Sequence, residues 1–191
     1  GQATPFMVNS FHSGGAGAHP AQDGLSATPY PSGVRNVPVE ATEAITPMVV
    51  WRKELRQDSG GPGRQRGGLG QIMEIENREG APFGIFATFE RVHYPPRGRS
   101  GGANGANGRL RLASGTEMRN KGFQTIPAGE RLIIEMPGGG GIGDAATRAP
   151  EKVAADVHAG FVTAEAARAI YKVALDPSGK VDPAGTAALR G

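Results

Sequence analysis

Hydrophobic residues cluster in five runs, each bounded by turn-forming residues, and these runs predict β-strands through the middle of the chain. The runs are 44–56, 71–76, 83–90, 110–112 and 130–136. In the run at 83–90 alternate residues are apolar, which is the period of a strand with one buried face, although Phe86 falls on the opposite face. Turn signals separate the runs, so we expect the strands to pair antiparallel.

Helical signals appear only near the end of the chain. Pro150 suits the first position of a helix that Gly160 can close in the left-handed conformation. Thr163 is a suitable N-cap for a second helix, from Ala164 to about Tyr171. Further on, 176–179 has the residues of a tight turn that would close a small hairpin, and 184–191 allows a last helical turn.

The fold class that these patterns predict is α+β, mainly β. We expect an antiparallel β-rich domain with long glycine-rich loops and two short helices near the C-terminus. Three segments are predicted: a loop-rich segment at 1–43, the β-rich domain at 44–144, and a helical pair, hairpin and tail at 145–191. The first segment is poor in core residues and the chain begins without Met, so we expect it to be the end of a larger upstream domain.

Composition supports a folded chain with many loops. The 31 glycines and 15 prolines among 191 residues are about twice the usual share, which excludes a coiled coil. No apolar stretch approaches the roughly 20 residues of a membrane span, so no membrane association is expected. The absence of Cys excludes a disulfide scaffold and a thiolate metal site, and it fits a cytoplasmic location.

The net charge of +3 comes largely from a basic stretch at 91–121. Glycine and asparagine interrupt this stretch, no aromatic residues alternate with its cations, and it matches no nucleic-acid fold motif. We therefore expect no nucleic-acid partner, and we interpret 97–108 as a solvated, mobile loop.

Two glycine clusters could approach an anionic ligand closely. The cluster at 58–70 lacks the Gly-Lys-Ser/Thr of a phosphate loop, but its amides with Arg64 and Arg66 could hold an anion. The alternative is a structural turn whose arginines pair with acids such as Asp58 or Glu43. The cluster at 137–144 matches a dinucleotide-binding pattern by spacing but lacks the strand–turn–helix context, so no cofactor is predicted there.

Acidic and histidine residues offer weaker candidates. Glu40 and Glu43 lie three residues apart and could act in acid–base chemistry, or they could pair structurally with Arg35, Arg52 or Arg56. His12 and His19 lie near Asp23 but have no recognised metal spacing, so no metal ligand is assigned.

Three parts of the sequence together resemble one family. These are Asp-Gly-Leu-Ser-Ala-Thr at 23–28 with 36–40, the long motif at 54–70, and the glycine cluster at 137–144 with 160–167. In this combination and order the chain resembles the hydantoinase B/oxoprolinase family over essentially its whole length. The resemblance implies the C-terminal portion of a longer B subunit.

The resemblance implies an ATP-dependent hydrolase of cyclic amides, working in a hetero-oligomer with a hydantoinase A-type subunit or domain. ATP and Mg would bind the partner, which phosphorylates a carbonyl oxygen of a hydantoin or lactam. A divalent metal would belong to the missing upstream portion, and none to this chain. The catalytic candidates are Arg64 and Arg66 as anion donors, with Asp23 and Glu40 in orienting roles.

Two other functions stay open at this point. The chain could belong to an acetone- or acetophenone-type carboxylase, or it could be a non-catalytic assembly domain of such a complex. On any of these interpretations we expect the 191-residue piece alone to be inactive and to lack ATP affinity.

Overall fold

The computed structural model describes residues 6–29, 32–34 and 37–191. Its strands and helices alternate irregularly with long loops. The helices are α1 (Val39–Ile45), α2 (Pro150–His158), α3 (Ala164–Ala169) and α4 (Pro183–Arg190), with a 3₁₀ turn at Ala145–Thr147. The strands are β1 (Met48–Leu55), β2 (Gln71–Asn77), β3 (Phe83–Thr88), β4 (Arg109–Leu112), β5 (Lys121–Ile126) and β6 (Leu132–Glu135).

Four strands form one antiparallel sheet in the order β1-β2-β6-β4. Strands β3 and β5 form a separate two-stranded antiparallel ribbon. One core lies between the two, where the inner faces of sheet and ribbon meet. Its buried members are Met48, Met73, Phe83, Leu112, Ile126, Leu132 and Ile134. The predicted α+β, mainly β class and the antiparallel pairing are confirmed.

A second, smaller core holds the C-terminal helices. Val153 on α2, Ala167 on α3 and Tyr171 after it are all buried here, together with Val162 and Val173. Thr163 caps α3 by accepting a hydrogen bond from the backbone N–H of Ala166 at 3.1 Å, as predicted. Gly160 has a φ of 72°, the left-handed conformation expected just after α2.

Four glycine-rich segments pack backbone against backbone: 14–18, 59–68, 98–106 and 137–143. The last of these lies in the middle. Gly15 donates to the Pro137 carbonyl oxygen at 2.9 Å, and Gly139 donates to that of Gly68 at 2.8 Å. Gly141 donates to the carbonyl oxygen of Ala103 at 3.0 Å. Successive residues of 137–143 therefore bond to three different neighbours, whereas a β-strand has two. We call this arrangement the glycine bundle.

Side chains are excluded from the glycine bundle by distance alone. A Cβ atom on Gly138 would lie 1.7 Å from the Ser59 carbonyl oxygen, and one on Gly139 would lie 1.9 Å from that of Ala16. Both distances are far below van der Waals contact, so only glycine fits, as at the axis of the collagen triple helix.

The bundle corrects the prediction of a solvated loop over 97–108. Ala103 donates to the Pro62 carbonyl oxygen at 2.7 Å, and Ala106 donates to that of Ser59 at 2.8 Å. The glycines that suggested mobility instead allow this segment to approach its neighbours closely.

Some elements differ from the sequence prediction. The predicted strand at 44–56 begins only at Met48, because α1 occupies Val39–Ile45 and Pro47 follows it. Helix α1 has no buried residue and therefore gave no amphipathic signal. Strand β5 was not predicted, since Lys121–Ile126 mixes polar residues with a glycine. Within the described residues, no helix is long and apolar enough to cross a bilayer.

Candidate functional site

Arg66 belongs to a buried ionic cluster. Its side chain points away from solvent, with a residue exposure of 4%. The guanidinium donates through Nε and Nη2 to the two carboxylate oxygens of Asp156, each at 3.3 Å. It also lies 5.3 Å from the ring centroid of Phe161. Arg66 is therefore a buried, paired cation.

Arg148 extends the cluster to Asp23. Its Nη1 and Nη2 atoms donate to the two Asp23 oxygens at 2.7 and 2.8 Å, and Nη2 also donates to Asp156 at 2.8 Å. Arg148 is 1% exposed. The ionic cluster, defined as Asp23, Arg148, Asp156 and Arg66, thus contains two cations and two anions. It ties the N-terminal segment to the 58–70 loop and to α2.

The acids predicted to pair with the loop arginines make other contacts. Asp58 accepts from the backbone N–H of Thr163 at 3.0 Å, and Glu43 accepts from that of Val50 at 2.8 Å. The predicted structural pairing of Arg66 is correct in kind, but Asp58 and Glu43 were the wrong partners. Glu40 and Glu43 do not pair with Arg52 or Arg56, since these arginines pair with Glu54 and Glu135. Arg35, the third partner proposed for these acids, lies outside the described residues.

The ionic cluster keeps Asp23 ionised. Burial alone would raise the pKa of its carboxyl, but the hydrogen bond and charge of Arg148 and the backbone N–H of Arg66 outweigh that effect. The pKa therefore lies below its usual value of 3.8. A carboxylate held this way accepts hydrogen bonds and orients cations, and it does not act as a general acid near neutral pH.

Tyr171 lies near the ionic cluster on the side of the helical core. Burial raises the pKa of its hydroxyl to about 12, against the lowering effect of the Arg148 and Arg66 charges. The backbone carbonyl oxygens of Tyr171 and Arg148 both accept from Nη2 of Arg190. Helix α4 is therefore fastened to the cluster through Arg190.

Arg64 differs from Arg66 in that its side chain is exposed. Its backbone is fixed: the N–H donates to Gly143 at 3.1 Å, and the carbonyl oxygen accepts from Arg148 at 3.2 Å. A Cβ atom placed on Gly143 would lie 3.0 Å from the Cβ atom of Arg64, so the glycine leaves room for the Arg64 side chain. The described residues include no carboxylate within ion-pair distance of Arg64. Arg64 therefore presents a guanidinium from a rigid loop.

Glu40 lies apart from this cluster. It is an exposed residue in the first turn of α1. No hydrogen bond or ion pair within the described part of the chain joins Glu40 to Arg64, Arg66 or Asp23. The structure thus brings three of the four predicted site residues together through backbone and side-chain bonds, and it leaves Glu40 outside.

Most glycine amides of the two clusters are already hydrogen-bonded within the protein. Gly61 and Gly68 donate to the carbonyl oxygens of Gly139 and Ala16, each at 2.8 Å. In the second cluster Gly139 and Gly141 donate likewise. Four of the six glycine N–H groups in 58–70 and four of the five in 137–144 are thus used within the protein, which favours the structural-turn alternative over an anion site.

His12 is largely covered by the protein and packs against an aromatic ring. Its ring stacks on Phe89 with centroids 6.3 Å apart and planes inclined by 8°. Burial and, to a lesser extent, the charge of Lys53 together lower its pKa to about 4. Within 6–29, 32–34 and 37–191, no group of three or more His, Cys, Asp or Glu side chains could hold a metal ion.

Sequence reasoning missed Asp156 and Arg148. Asp156 lies three residues after Val153 and one before Val157, so the residues that define the inward stripe of α2 also place a carboxylate on it. A charged residue on a buried stripe requires a partner, and that signal was available in the sequence. Arg148 had no comparable signal, because it lies between the 3₁₀ turn and α2.

Comparisons with known proteins give a consistent result. The family model described as Hydantoinase B/oxoprolinase matches residues 1–145. The caprolactamase subunit beta of Pseudomonas jessenii is 36% identical over 96% of this chain, and 5-oxoprolinase 1 of Arabidopsis thaliana is 37% identical over 68% of it. The chain spans about a third of the former (33%) and a tenth of the latter (10%).

Solved structures agree with these matches. The crystal structure of the ATP-dependent caprolactamase from Pseudomonas jessenii superposes on 93% of this chain with a TM-score of 0.77 and 30% identity, over 32% of its own length. A nucleotide-free structure of acetone carboxylase covers 96% of this chain with a TM-score of 0.73 and 25% identity, over 30% of its own length.

Proposed function

The chain belongs to the hydantoinase B/oxoprolinase family, and from this premise we propose that it is part of the B-type subunit of an ATP-dependent cyclic-amide hydrolase. The substrate would be a hydantoin or a lactam. The observation that carries the proposal is the likeness to a caprolactamase beta subunit over nearly the whole chain, in both sequence and fold.

The chemistry of a cyclic amide explains the need for a complex. An unactivated lactam carbonyl is a poor electrophile, and phosphorylation of its oxygen supplies a good leaving group. We assign ATP and Mg to a hydantoinase A-type partner subunit, because this chain has no Gly-Lys-Ser/Thr phosphate loop. Because the proposed reaction would consume ATP, we expect the complex in the cytoplasm.

Within this chain, Arg64 is the proposed donor to the anionic intermediate. Its guanidinium is exposed on a rigid loop, and a planar fork of donors suits phosphate and carboxylate oxygens. Arg66 and Asp23 would be positioning residues, because Arg66 is buried in the ionic cluster and Asp23 is paired with Arg148. Asp23 fixes the loop by accepting the Arg66 N–H at 2.7 Å. The orienting role of Glu40 remains a prediction.

A carboxylase is the second candidate function. The acetone carboxylase structure covers 96% of this chain, slightly more than the caprolactamase does. Both reactions begin with activation of a carbonyl compound, so the same scaffold could serve either one.

The test is an assay of the full-length B-type protein purified together with its A-type partner. Hydantoin, 5-oxoproline and caprolactam are supplied separately, each with and without ATP, and both the ring-opened product and released phosphate are measured. Acetone with bicarbonate forms the parallel arm. We expect ring opening that requires ATP. Carboxylation of acetone without ring opening of any cyclic amide would overturn the proposal in favour of the second candidate.

A further inference from the structure

Arg148 and Asp23 together hold the backbone on both sides of Gln65. Nη1 of Arg148 donates to the carbonyl oxygen of Arg64 at 3.2 Å and to Oδ1 of Asp23 at 2.7 Å. The same Oδ1 atom accepts from the backbone N–H of Arg66 at 2.7 Å. One ion pair therefore bonds to the residue before Gln65 and to the residue after it, and it fixes this part of the loop.

The second glycine cluster holds the same backbone from another side. The backbone N–H of Arg64 donates to the Gly143 carbonyl oxygen at 3.1 Å. Gln65 and Ile142 exchange two backbone hydrogen bonds, each of 3.0 Å. Gly143 also leaves the room that the Arg64 side chain occupies. Arg148 thus completes the set of bonds that determines where the exposed guanidinium of Arg64 extends from the loop.

Arg148 is itself fixed and charged. It is 1% exposed, and its backbone carbonyl oxygen accepts from Arg190 at 2.7 Å. Burial alone would lower the pKa of its guanidinium, but the hydrogen bond to Asp23 and the charges of Asp156 and Asp23 outweigh that effect. The pKa therefore lies above its usual value, and the side chain stays protonated.

The contacts of Arg148 require the shape of a guanidinium. Its two terminal nitrogens carry four hydrogens and make four hydrogen bonds: two to Asp23, one to Asp156 and one to the Arg64 carbonyl oxygen. A lysine ammonium has only three donors, all on one nitrogen. Lysine could keep the charge next to the two carboxylates, but it could not make all four bonds.

We propose that Arg148 is a positioning residue for Arg64 in the ATP-dependent reaction. Its buried side chain acts through the Arg64 carbonyl oxygen and fixes the position from which the Arg64 guanidinium donates. Misplacing a reacting group by about 1 Å can cost roughly 10²-fold in rate, so a small shift of this loop would matter. The inference rests on the proposed function, in which Arg64 donates to the anionic intermediate.

A double-mutant cycle in the full-length B-type protein, purified with its A-type partner, tests this role. Arg148→Lys should lower kcat roughly tenfold or more and change KM little, because the donor is misplaced. Arg64→Lys should lower kcat by roughly 10²-fold. In the Arg64→Lys background, Arg148→Lys should lower kcat by no more than about twofold further, because residues that act as a unit are not additive.

The matched control is Arg131→Lys. Arg131 also pairs with two carboxylates, those of Glu74 and Glu76 on the main sheet, and its replacement should leave kcat at the parental value. Assays well below the melting temperature of each variant keep loss of folded protein out of kcat. If Arg148→Lys does not fold, Asp23→Asn takes its place in the cycle, because it weakens the same ion pair and keeps the size of the side chain.

Hydrogen exchange of the loop gives a second measurement that does not depend on turnover. Arg148→Lys should speed exchange in peptides that contain Gln65 and Arg66 by roughly fivefold or more, the effect of losing about one hydrogen bond. Arg131→Lys should leave these peptides at the parental rate. Faster exchange limited to this loop would show that Arg148 holds it in place.

The positioning role is overturned by parental kcat in Arg148→Lys, or by parental exchange around Arg66. It is also overturned if the two substitutions multiply in the double variant, because Arg148 would then act independently of Arg64. Parental kcat in Arg64→Lys would overturn both Arg64 as the donor and this role. A parent complex that opens no ring would count against the proposed function, whereas the exchange measurement would still show whether Arg148 fixes the loop.

Discussion

Replacing Asp156 with Asn tests the ionic cluster directly. The substitution keeps the size of the side chain but removes the negative charge between two buried guanidiniums. Arg66 would lose its carboxylate partner, and Arg148 would keep only Asp23. One positive charge would then be uncompensated where Arg66 is 4% and Arg148 1% exposed.

The expected cost follows from the burial of the cluster. Breaking a buried ion pair by removing one partner costs about 3–5 kcal/mol, because the remaining charge is desolvated and unpaired. Asparagine keeps one oxygen acceptor, so we expect about 3 kcal/mol, at the lower end of that range. For a chain of this length, each kcal/mol shifts the melting temperature by about 2–4 °C, which gives a decrease of about 6–12 °C.

Thermal unfolding followed by circular dichroism measures this change. Glu117→Gln is the control, because Glu117 forms an exposed ion pair with Arg109, and loss of such a pair should lower the melting temperature far less than Asp156→Asn does. A second variant, Arg66→Met with Asp156→Leu, removes the charges together and should melt above Asp156→Asn. If Asp156→Asn melts within about 2 °C of the parent, the cluster does not hold the loop to α2 and the reasoning fails.

Three further predictions address the bundle, the buried histidine and the exposed arginine. Gly15→Ala should prevent stable folding because its Cβ would lie 1.8 Å from a carbonyl oxygen, whereas Gly17→Ala, with 3.9 Å of space, should melt like the parent; equal melting of both would contradict the bundle. The pKa of His12 is about 4 in the folded protein and about 6.5 in the unfolded chain, so protonation below pH 6.5 favours unfolding. The free energy of unfolding should therefore be highest above pH 6.5 and should fall by up to about 3 kcal/mol as the pH decreases towards 4. His12→Phe should remove that dependence in urea denaturation at several pH values, and an unchanged pH profile would count against burial as its cause. In the full complex Arg64→Lys should lower kcat by roughly 10²-fold and leave the melting temperature unchanged. The exposed control Arg91→Lys should change neither kcat nor the melting temperature, and full activity of Arg64→Lys would remove Arg64 from the proposed site.

The strands of the main sheet could be predicted because their burial is periodic or continuous. Strand β6 lies within a predicted run, β2 and β4 each extend one residue beyond theirs, and β1 occupies the second part of another. Strand β5 could not be found, since it alternates only weakly and its Gly122 has a φ of 86°. The glycine bundle was beyond sequence reasoning for a different reason. Its segments have no hydrophobic period, so the same residues that permit close packing are indistinguishable from those of a flexible loop.

The candidate site was predictable in composition but not in pairing. The loop at 58–70 stood out, and Arg66 does lie at a charged junction. Its partner Asp156 is 90 residues away. Long-range pairs of this kind depend on tertiary structure, and nearby acids such as Asp58 are therefore poor guides. Arg64 is exposed and Arg66 is buried. No pattern in the sequence could have shown which of the two faces solvent.

The glycine bundle also has a consequence for how fast the chain folds. Its segments begin at residue 14 and end at residue 143, so closing it brings together parts of the chain separated by most of its length. Glycine loses more backbone freedom on ordering than any other residue, and the packed glycines bury no side chain of their own in return. Contacts of high sequence separation slow folding, so the bundle should close late, after the hydrophobic sheet has formed. The rate-limiting step of refolding would then be the pairing of the four glycine-rich segments in the correct register, after the sheet has formed.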